Sequence, residues 1–312
     1  MLGGIPSFSN SASAADCEDV DGATETISAD CQNLSITGDS PNVTIDSGVT
    51  IDSTAANAVA TPDATNAIIT NNGTISAATN RGFRTSGGDV QELINNGTIT
   101  AAGGREGVRN AGTITTLTNA GTISADINKG INNRSDGTIT TITNSGTISA
   151  NDSSLWNAGT ITTLTNSDTG TISAEDEFGL KNVNGLISTL NNSGTISAGD
   201  DYGLYNDGTS TITTLTNTGT ISGIGNGIGI WNDSTSTITT LNNSQVNLTY
   251  KGKLPTNYNV IVNSATDYGK ITFSSVSGSL NFGVHSTSTL AEGTYGSVIS
   301  GLTSSNILSG TS

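Results

Sequence analysis

The sequence predicts an all-β fold, a right-handed parallel β-helix (β-solenoid) with three strands in each coil of about 24 residues and a C-terminal β cap. Two observations carry this prediction. A Gly-Thr-Ile phrase returns every 24 or 25 residues, which is typical of stacked structural repeats. Apolar residues are flanked by Thr, Ser or Asn, as in half-buried strands, and no helical 3.6-residue pattern is seen. The phrase begins at Gly73, Gly97, Gly121, Gly146, Gly170, Gly194 and Gly219.

The composition limits the class of protein and its partners. The 312 residues include 10 Lys and Arg against 26 Asp and Glu, a net charge of −16, and only 12% of the chain is charged. Without the period this composition would indicate disorder, but a disordered segment has no reason to keep apolar residues at fixed places. The negative charge argues against nucleic acid and anionic lipid, which bind clustered Lys and Arg.

The N-terminal segment predicts export. Residues 11–15 read Ser-Ala-Ser-Ala-Ala, like the end of a secretory signal, although the preceding apolar run is short and contains no Lys or Arg. We interpret residues 1–15 as a truncated signal peptide, with a plain disordered terminus as the alternative. The only two cysteines, Cys17 and Cys31, follow this segment, and in an exported protein they predict a disulfide.

The chain then divides into worn and clear repeats. Residues 16–60 are expected to form an N-terminal cap with degenerate coils, and residues 61–248 the parallel β-helix. Gly, Asn and Asp mark the corners between short strands, and four apolar columns align through the clear repeats. The columns are Phe83, Val108, Ile131, Leu155, Leu180, Leu204 and Ile230; Val90, Ile114, Ile139, Ile161, Ile187, Ile212 and Ile238; Leu93, Leu117, Ile142, Leu164, Leu190, Leu215 and Leu241; and Ile75, Ile99, Ile123, Ile148, Ile172, Ile196 and Ile221.

Two columns of asparagine accompany the apolar columns. Asn tolerates the left-handed corner conformation, and its amide can bond to the copies above and below, so both columns are predicted to form structural ladders. The first ladder is Asn110, Asn133, Asn157, Asn182, Asn206 and Asn232. The second is Asn71, Asn95, Asn119, Asn144, Asn192 and Asn217, with Asp168 in the fifth repeat.

The period stops near Tyr250, and aromatic residues become frequent beyond it. We therefore assign residues 249–312 to a C-terminal cap that closes the stack. A cap is expected because an open stack would offer its last strand to other chains and aggregate.

The repeats and the closing segment together resemble the passenger region of bacterial autotransporters, the type V secretion class. The similarity lies in the Asn-x-Gly-Thr-Ile-Ser/Thr repeats and in residues 259–263, 268–271 and 290–301, which read Asn-Val-Ile-Val-Asn, Tyr-Gly-Lys-Ile and Leu-Ala-Glu-Gly-Thr-Tyr-Gly-Ser-Val-Ile-Ser-Gly. The resemblance covers nearly the whole chain and implies a secreted or cell-surface rod, exported through an outer-membrane β-barrel in cis. The sequence ends at Ser312 without a barrel, so either the chain is a fragment or the passenger stands alone.

No catalytic, metal or cofactor site is predicted. The Gly-x-Ser-x-Gly nucleophile motif and metal-binding cysteine clusters are missing, and His285 is the only histidine. A polysaccharide-acting β-helix enzyme is therefore the least favoured function. Acidic residues gather after the fourth apolar column and are interpreted as solvated loop acids. They are Asp126, Asp152, Glu175, Asp176, Glu177, Asp200 and Asp201.

One outward position carries large side chains and is the candidate adhesion site. It directly follows the first apolar column, and strand alternation directs it to solvent. Exposed aromatic residues on a rigid face suit stacking on sugars or anchoring of a protein partner, so host or surface glycans and proteins are the expected ligands. The candidates are Arg84, Arg109, Trp156, Lys181, Tyr205 and Trp231.

A second possible function comes from regular Thr-x-Thr pairs. Such pairs on a flat β-solenoid face resemble those of ice-binding proteins, and the alternative prediction is an ice-binding β-solenoid. The column is interrupted at residues 186–188, Leu-Ile-Ser. The pairs are Thr113/Thr115, Thr138/Thr140, Thr160/Thr162, Thr211/Thr213 and Thr237/Thr239.

Overall fold

The computed structural model describes residues 14–308 and forms a parallel β-solenoid of about 12 turns with about 24 residues per coil. Three parallel sheets of 13, 13 and 9 strands make its faces. Within residues 14–308 there is no α-helix, and one 3₁₀ turn covers Ser304–Asn306. The predicted all-β coil with three strands per turn is confirmed. Residues 1–13, most of the predicted signal segment, lie outside the described residues.

Each coil up to residue 223 contributes one strand to each sheet in turn, and the later coils contribute strands only to the first two sheets. The first sheet contains β1 (Val20–Asp21), β4 (Leu34–Thr37), β7 (Val59–Thr61), β10 (Phe83–Thr85), β13 (Val108–Asn110), β16 (Lys129–Asn133), β19 (Ser153–Asn157), β22 (Phe178–Val183), β25 (Tyr202–Asp207), β28 (Ile230–Asn232), β30 (Leu248–Lys253), β32 (Ile271–Ser277) and β34 (Ile299–Ser300). The second contains β2 (Thr24–Ile27), β5 (Asn42–Ile45), β8 (Ala67–Asn71), β11 (Asp89–Asn95), β14 (Thr113–Asn119), β17 (Thr138–Asn144), β20 (Thr160–Asn166), β23 (Leu186–Asn192), β26 (Thr211–Asn217), β29 (Thr237–Asn243), β31 (Asn257–Val260), β33 (Leu280–Val284) and β35 (Ile307–Leu308). The third contains β3 (Cys31–Gln32), β6 (Thr50–Ser53), β9 (Thr74–Ala77), β12 (Thr98–Ala101), β15 (Thr122–Ala125), β18 (Thr147–Ala150), β21 (Thr171–Ala174), β24 (Thr195–Ala198) and β27 (Thr220–Gly223).

The four apolar columns form the core, as predicted. Ile114 pairs in register with Ile139, and Leu117 with Ile142, so each buried side chain packs on its copy in the next coil. The second and third columns share one strand of the second sheet. Their members are three residues apart, so the alternation is broken once in each coil and Thr115 has no strand partner.

Both asparagine ladders are present and buried. Each Nδ2 donates to the Oδ1 of the next rung, at 2.7–2.9 Å in the first ladder and 2.7–3.2 Å in the second. The placement of Asp168 in the second ladder is wrong, because Asn166 makes that rung between Asn144 and Asn192. This corner is two residues longer than its neighbours, so counting back from Gly170 selected an exposed residue.

The glycine that opens each repeat phrase lies at a crowded corner. A Cβ on Gly121 would lie 2.0 Å from the carbonyl oxygen of Gly97 in the preceding coil. No side chain fits there, because backbone rather than a movable side chain blocks the space. Close stacking of corners therefore explains why the phrase begins with Gly.

The two ends of the solenoid are built differently. At the N-terminal end a disulfide joins Cys17 to Cys31, as predicted, with the Cα atoms 4.9 Å apart. At the other end the third sheet stops after β27, while the first two sheets continue to β34 and β35. Tyr250 and Tyr258 pair in register with Ile230 and Leu241, so these two tyrosines continue the core into further coils.

Candidate functional site

The candidate adhesion residues all lie in one line on the first sheet, which we call the outward column. In register from coil to coil it contains Arg84, Arg109, Asn132, Trp156, Lys181, Tyr205, Trp231 and Lys251. Lys251 was missed from the sequence because the repeat phrase has ended before it. Trp156, Tyr205 and Trp231 are half-buried, since neighbouring side chains of the same column cover them.

The rings and ammonium groups of the column stack on one another. The Nζ atoms of Lys129 and Lys181 lie 4.5 and 4.6 Å from the centre of the Trp156 ring. Tyr205 and Trp231 stack with centroids 4.5 Å apart and planes 12° apart, and Lys251 Nζ lies 4.9 Å from the Trp231 ring. These contacts stabilise the coils by cation–π and ring stacking, each by roughly 0.5–2 kcal/mol. Much of the ring faces is therefore used within the chain.

Two further aromatic residues, each the first residue of a strand in the first sheet, pack against the outward column. Phe178 lies 5.1 Å from Tyr205, and Tyr202 lies 4.8 Å from Trp231, measured between ring centroids. The sequence did not single them out, because the same position in earlier coils holds Ser153 and Lys129 and shows no constant residue type.

Polar contacts hold Tyr205 in place within the outward column. Its hydroxyl donates to Asp207 Oδ1 at 2.9 Å, and Lys181 Nζ lies 3.6 Å from Asp207 Oδ2. Burial, then the hydrogen bond and charge of Asp207, raise the pKa of Tyr205 well above its usual range. The phenol therefore stays protonated and acts as a hydrogen-bond donor.

The outward column is interrupted by a smaller residue between Arg109 and Trp156. Asn132 stands between Arg109 and Trp156, and the gap is a depression of about 400 Å³, which we call the notch. Glu106 is buried below it, accepts from Asn132 Nδ2 at 2.9 Å and pairs with Arg81 Nε at 2.7 Å. The notch is lined by Glu106, Asn128, Lys129, Asn132, Arg134, Ser135, Trp156 and Ala158.

The Glu106 carboxylate is held in its charged form. Burial by itself would raise its pKa, but the hydrogen bond from Asn132 and the charge of Arg81 outweigh burial and lower the pKa below its usual value. Burial lowers the pKa of the Arg81 guanidinium, and Glu106 opposes that shift. The pair is therefore a salt bridge buried at the edge of the notch, and it is worth little net stability but costly to break.

The acidic corner residues do not converge on a metal site. Asp152 accepts from Lys129 Nζ at 2.8 Å, and burial followed by the Asp152 charge raises the pKa of Glu177. Within residues 14–308 no group of three or more His, Cys, Asp or Glu side chains is arranged to hold a metal ion. A second depression, of about 320 Å³, lies along this edge beside Asp126, Asn151 and Glu175.

The predicted Thr-x-Thr column does not lie on a regular strand. Thr113 is half-buried and Thr115 is exposed at the break in alternation, where it has no strand partner. A more regular hydroxyl array covers the third sheet, where every strand from β6 to β27 begins with Thr and keeps the same register. The sequence pattern does not single out this array, because most of its Thr residues belong to the Gly-Thr-Ile phrase that marks each repeat.

Comparison with known proteins gives no relative for this chain. No protein-family model, curated protein or solved structure matches the chain. In residues 14–308 no helix has the length and apolar character needed to cross a membrane. The outward column and the notch are thus the surface features that bear on the protein's function.

Proposed function

We propose that this chain is a secreted or cell-surface rod of the autotransporter passenger type, which binds a partner through its outward column and performs no catalysis. The observation that carries this proposal is the column itself. Large aromatic and cationic side chains follow one another in register on a protein whose other outward positions are mostly Thr, Ser and Asn.

The interior of the solenoid supports a role as a rigid rod. Apolar columns run through it with little or no exposure, and both asparagine ladders satisfy their amides from coil to coil. A buried polar network that is fully paired makes a structure rigid and specific. Such a rod holds its surface side chains at fixed spacing, which reduces the entropy lost when a partner binds.

The exposed parts of the column define the kind of contact it can make. Stacking uses much of the ring faces, and the Tyr205 hydroxyl already donates to Asp207, so a partner meets mainly the ring edges of Trp156, Tyr205 and Trp231. Indole N–H and Lys ammonium groups donate hydrogen bonds, and ring edges add apolar contact. Protein surfaces and glycans both offer matching acceptors, and such anchors dominate binding energy at interfaces.

The test is binding of the intact protein to host cells and to immobilised glycans and proteins. We expect binding to fall by about tenfold or more when the three column aromatics become serine, since anchor residues carry most of an interface's energy. The matched control changes outward residues of the same coils on the second sheet and should bind normally. The test variant is Trp156→Ser with Tyr205→Ser and Trp231→Ser, and the control is Thr162→Ser with Thr213→Ser and Thr239→Ser.

Loss of stacking is expected to lower stability, so each variant must first show the parent's β-sheet circular dichroism at the assay temperature. Unchanged binding by a folded test variant would reject the outward column as the adhesive surface. Export is tested separately, by labelling intact cells with an antibody to the solenoid and by reading the genome beyond the codon for Ser312 for a β-barrel.

A second candidate function rests on the third sheet. Thr122, Thr147 and Thr171 pair in register on its outer face, with Ser124, Ser149 and Ser173 beside them. Parallel strands about 4.8 Å apart make such a face a regular hydroxyl array, of the kind an ice-binding β-solenoid needs. Thermal hysteresis that is abolished by Thr147→Lys but retained in Thr115→Lys would favour this function over adhesion.

A further inference from the structure

The cations of this acidic protein are concentrated in one short segment. Six of the ten Lys and Arg, but only four of the 26 Asp and Glu, lie in residues 81–134, which gives the segment a net charge of +2. The remaining residues together carry −18, so the chain's total of −16 conceals a local cationic surface. The six cations are Arg81, Arg84, Arg105, Arg109, Lys129 and Arg134.

Three of these cations lie together and make no ion pair with the described residues. Arg84 and Arg109 are partners on adjacent strands of the outward column, and Arg134 follows the next strand. Among residues 14–308 the ion pairs are Arg81–Glu106, Lys129–Asp152 and Lys181–Asp207, so the three arginines have none. The Nε atoms of Arg84 and Arg109 are buried and have no hydrogen-bond partner within the described part of the chain.

Like charges held this close oppose one another. Burial lowers the pKa of Arg109 most, and the charges of Arg134 and Arg84 lower it further, against smaller opposing effects of the Glu106 and Asp136 charges. Guanidinium groups are suited to carboxylate and sulfate because their fixed N–H donors match two oxygens at once. An anion bound by these arginines would therefore relieve this repulsion.

The notch next to the arginines suits a sugar ring. Its volume of about 400 Å³ falls within the range typical of small-ligand sites. Polar groups of Asn128, Asn132 and Ser135 line it beside Trp156, together with the charged Glu106, Lys129 and Arg134. Glu106 and Lys129 are already paired with Arg81 and Asp152, so of these three charges only Arg134 has no ion pair among the described residues. Amide and hydroxyl groups beside an aromatic residue match a ring with many hydroxyls better than they match a bare inorganic anion.

We infer that Arg84, Arg109 and Arg134 with the adjoining notch bind an acidic saccharide, with its carboxylate or sulfate on the arginines and its ring in the notch. This inference rests on the proposed adhesive function and names its ligand class. The three arginines span three coils, roughly 10 Å, and the residues outside 81–134 carry a net charge of −18. A short acidic saccharide fits that length, whereas a longer nucleic acid strand would extend over parts of the chain with net negative charge.

Calorimetry at low ionic strength tests the inference with defined probes. These are a heparin-derived tetrasaccharide for sulfate, a galacturonic acid tetramer for carboxylate, maltotetraose as the neutral sugar, and a single-stranded DNA oligonucleotide. We expect both acidic saccharides to bind and maltotetraose and DNA not to bind. Arg84→Gln with Arg109→Gln should weaken binding by about tenfold or more. Asn132→Tyr, which fills the notch and keeps the arginines, should weaken it as well.

The matched control removes the same charge elsewhere. Lys253→Gln with Lys270→Gln changes the net charge equally, and both residues lie outside the outward column; Lys253 is on β30, six strands from β13 and Arg109 in the first sheet. This control should bind acidic saccharides within about twofold of the parent, since rim charges act weakly at that distance. Equal weakening by the control and the arginine variant would show diffuse charge attraction and overturn the site.

Other outcomes separate this inference from the proposed function. Binding of maltotetraose but no acidic probe would overturn the acidic ligand while leaving an adhesive column. Tighter binding of DNA than of either saccharide would overturn it in favour of nucleic acid. Failure of every probe to bind also rejects the inference, and the cell-binding test with the serine variants of the column then decides the proposed function independently.

Discussion

Breaking one rung of the first asparagine ladder should cost far more stability than breaking a similar bond on the surface. Asn157 is fully buried and donates to Asn182 Oδ1 at 2.8 Å and to the carbonyls of Gly159 and Leu186 at 3.2 Å. Its Oδ1 accepts from Asn133 Nδ2 at 2.7 Å. The substitution Asn157→Ala removes all four of these bonds.

The size of the effect follows from which partners are left unpaired. Asn133 Nδ2 still reaches the carbonyls of Gly137 and Thr160, but no other donor among the described residues reaches Asn182 Oδ1. One stranded buried acceptor costs about 1–3 kcal/mol, and loss of the ladder bond from Asn133, whose Nδ2 keeps other acceptors, adds about 1 kcal/mol. We therefore expect the free energy of unfolding to fall by about 2–4 kcal/mol.

The matched control is Asn96→Ala. Asn96 also bonds to an asparagine of the neighbouring coil, Asn72, at 2.9 Å, but it is exposed, so water replaces the lost partner. The expected cost is below about 0.5 kcal/mol. Urea unfolding followed by far-UV circular dichroism gives both values, and hydrogen exchange shows whether protection falls first in the coils around Asn157. Equal effects of the two substitutions would refute the claim that the ladder stabilises the stack.

Three further predictions test other parts of the fold. Because the pKa of Glu106 is lowered, its contribution to stability is present above its usual value of about 4.5 and is lost as pH falls through the lower folded-state value. The melting temperature of the parent should therefore fall more steeply in acid than that of Glu106→Gln. At neutral pH the Glu106→Gln variant should be less stable than the parent by about 1–3 kcal/mol. Parallel acid profiles of the two proteins would contradict this prediction. Gly121→Ala should destabilise by roughly 3 kcal/mol or more in urea unfolding, whereas Gly296→Ala, where a Cβ meets nothing within 4 Å, should have little effect. Reducing the Cys17–Cys31 bond, which closes a loop of 14 residues, should lower the free energy of unfolding of the first coils by about 3 kcal/mol. Hydrogen exchange should show the loss of amide protection only in those coils, and loss throughout the stack would count against nearly independent coils.

The periodic parts of this fold could be predicted from the sequence because each prediction was repeated in every coil. Seven copies of an apolar position define a buried column even where one copy, such as Phe83, differs in size. The rung at Asp168 was wrong for the same reason, since the corner length was taken to be constant. Asn166 replaces it because the ladder depends on stacking of strand ends and not on distance from the next glycine.

The candidate site was only partly predictable, because its properties depend on neighbours in space. Alternation placed Trp156 and Tyr205 outward, but it could not show that Lys181 lies between them and covers both rings. Phe178 and Tyr202 occupy a position without a constant residue type, so no column identified them. The cationic surface was hidden by averaging charge over the whole chain.

The same stacking that makes the solenoid stable also determines where it can bind. In a column with copies spaced by about 4.8 Å, adjacent large side chains contact each other before they contact a ligand. From Trp156 to Lys251 the column satisfies its own rings and charges in this way. At Asn132 the run of large side chains is interrupted by an open notch, which Arg134 lines, and Arg84 and Arg109 in the preceding coils have no ion pair among the described residues. An acidic saccharide is therefore expected to bind at this interruption of the repeat, whereas the regular part of the column offers a partner mainly its ring edges.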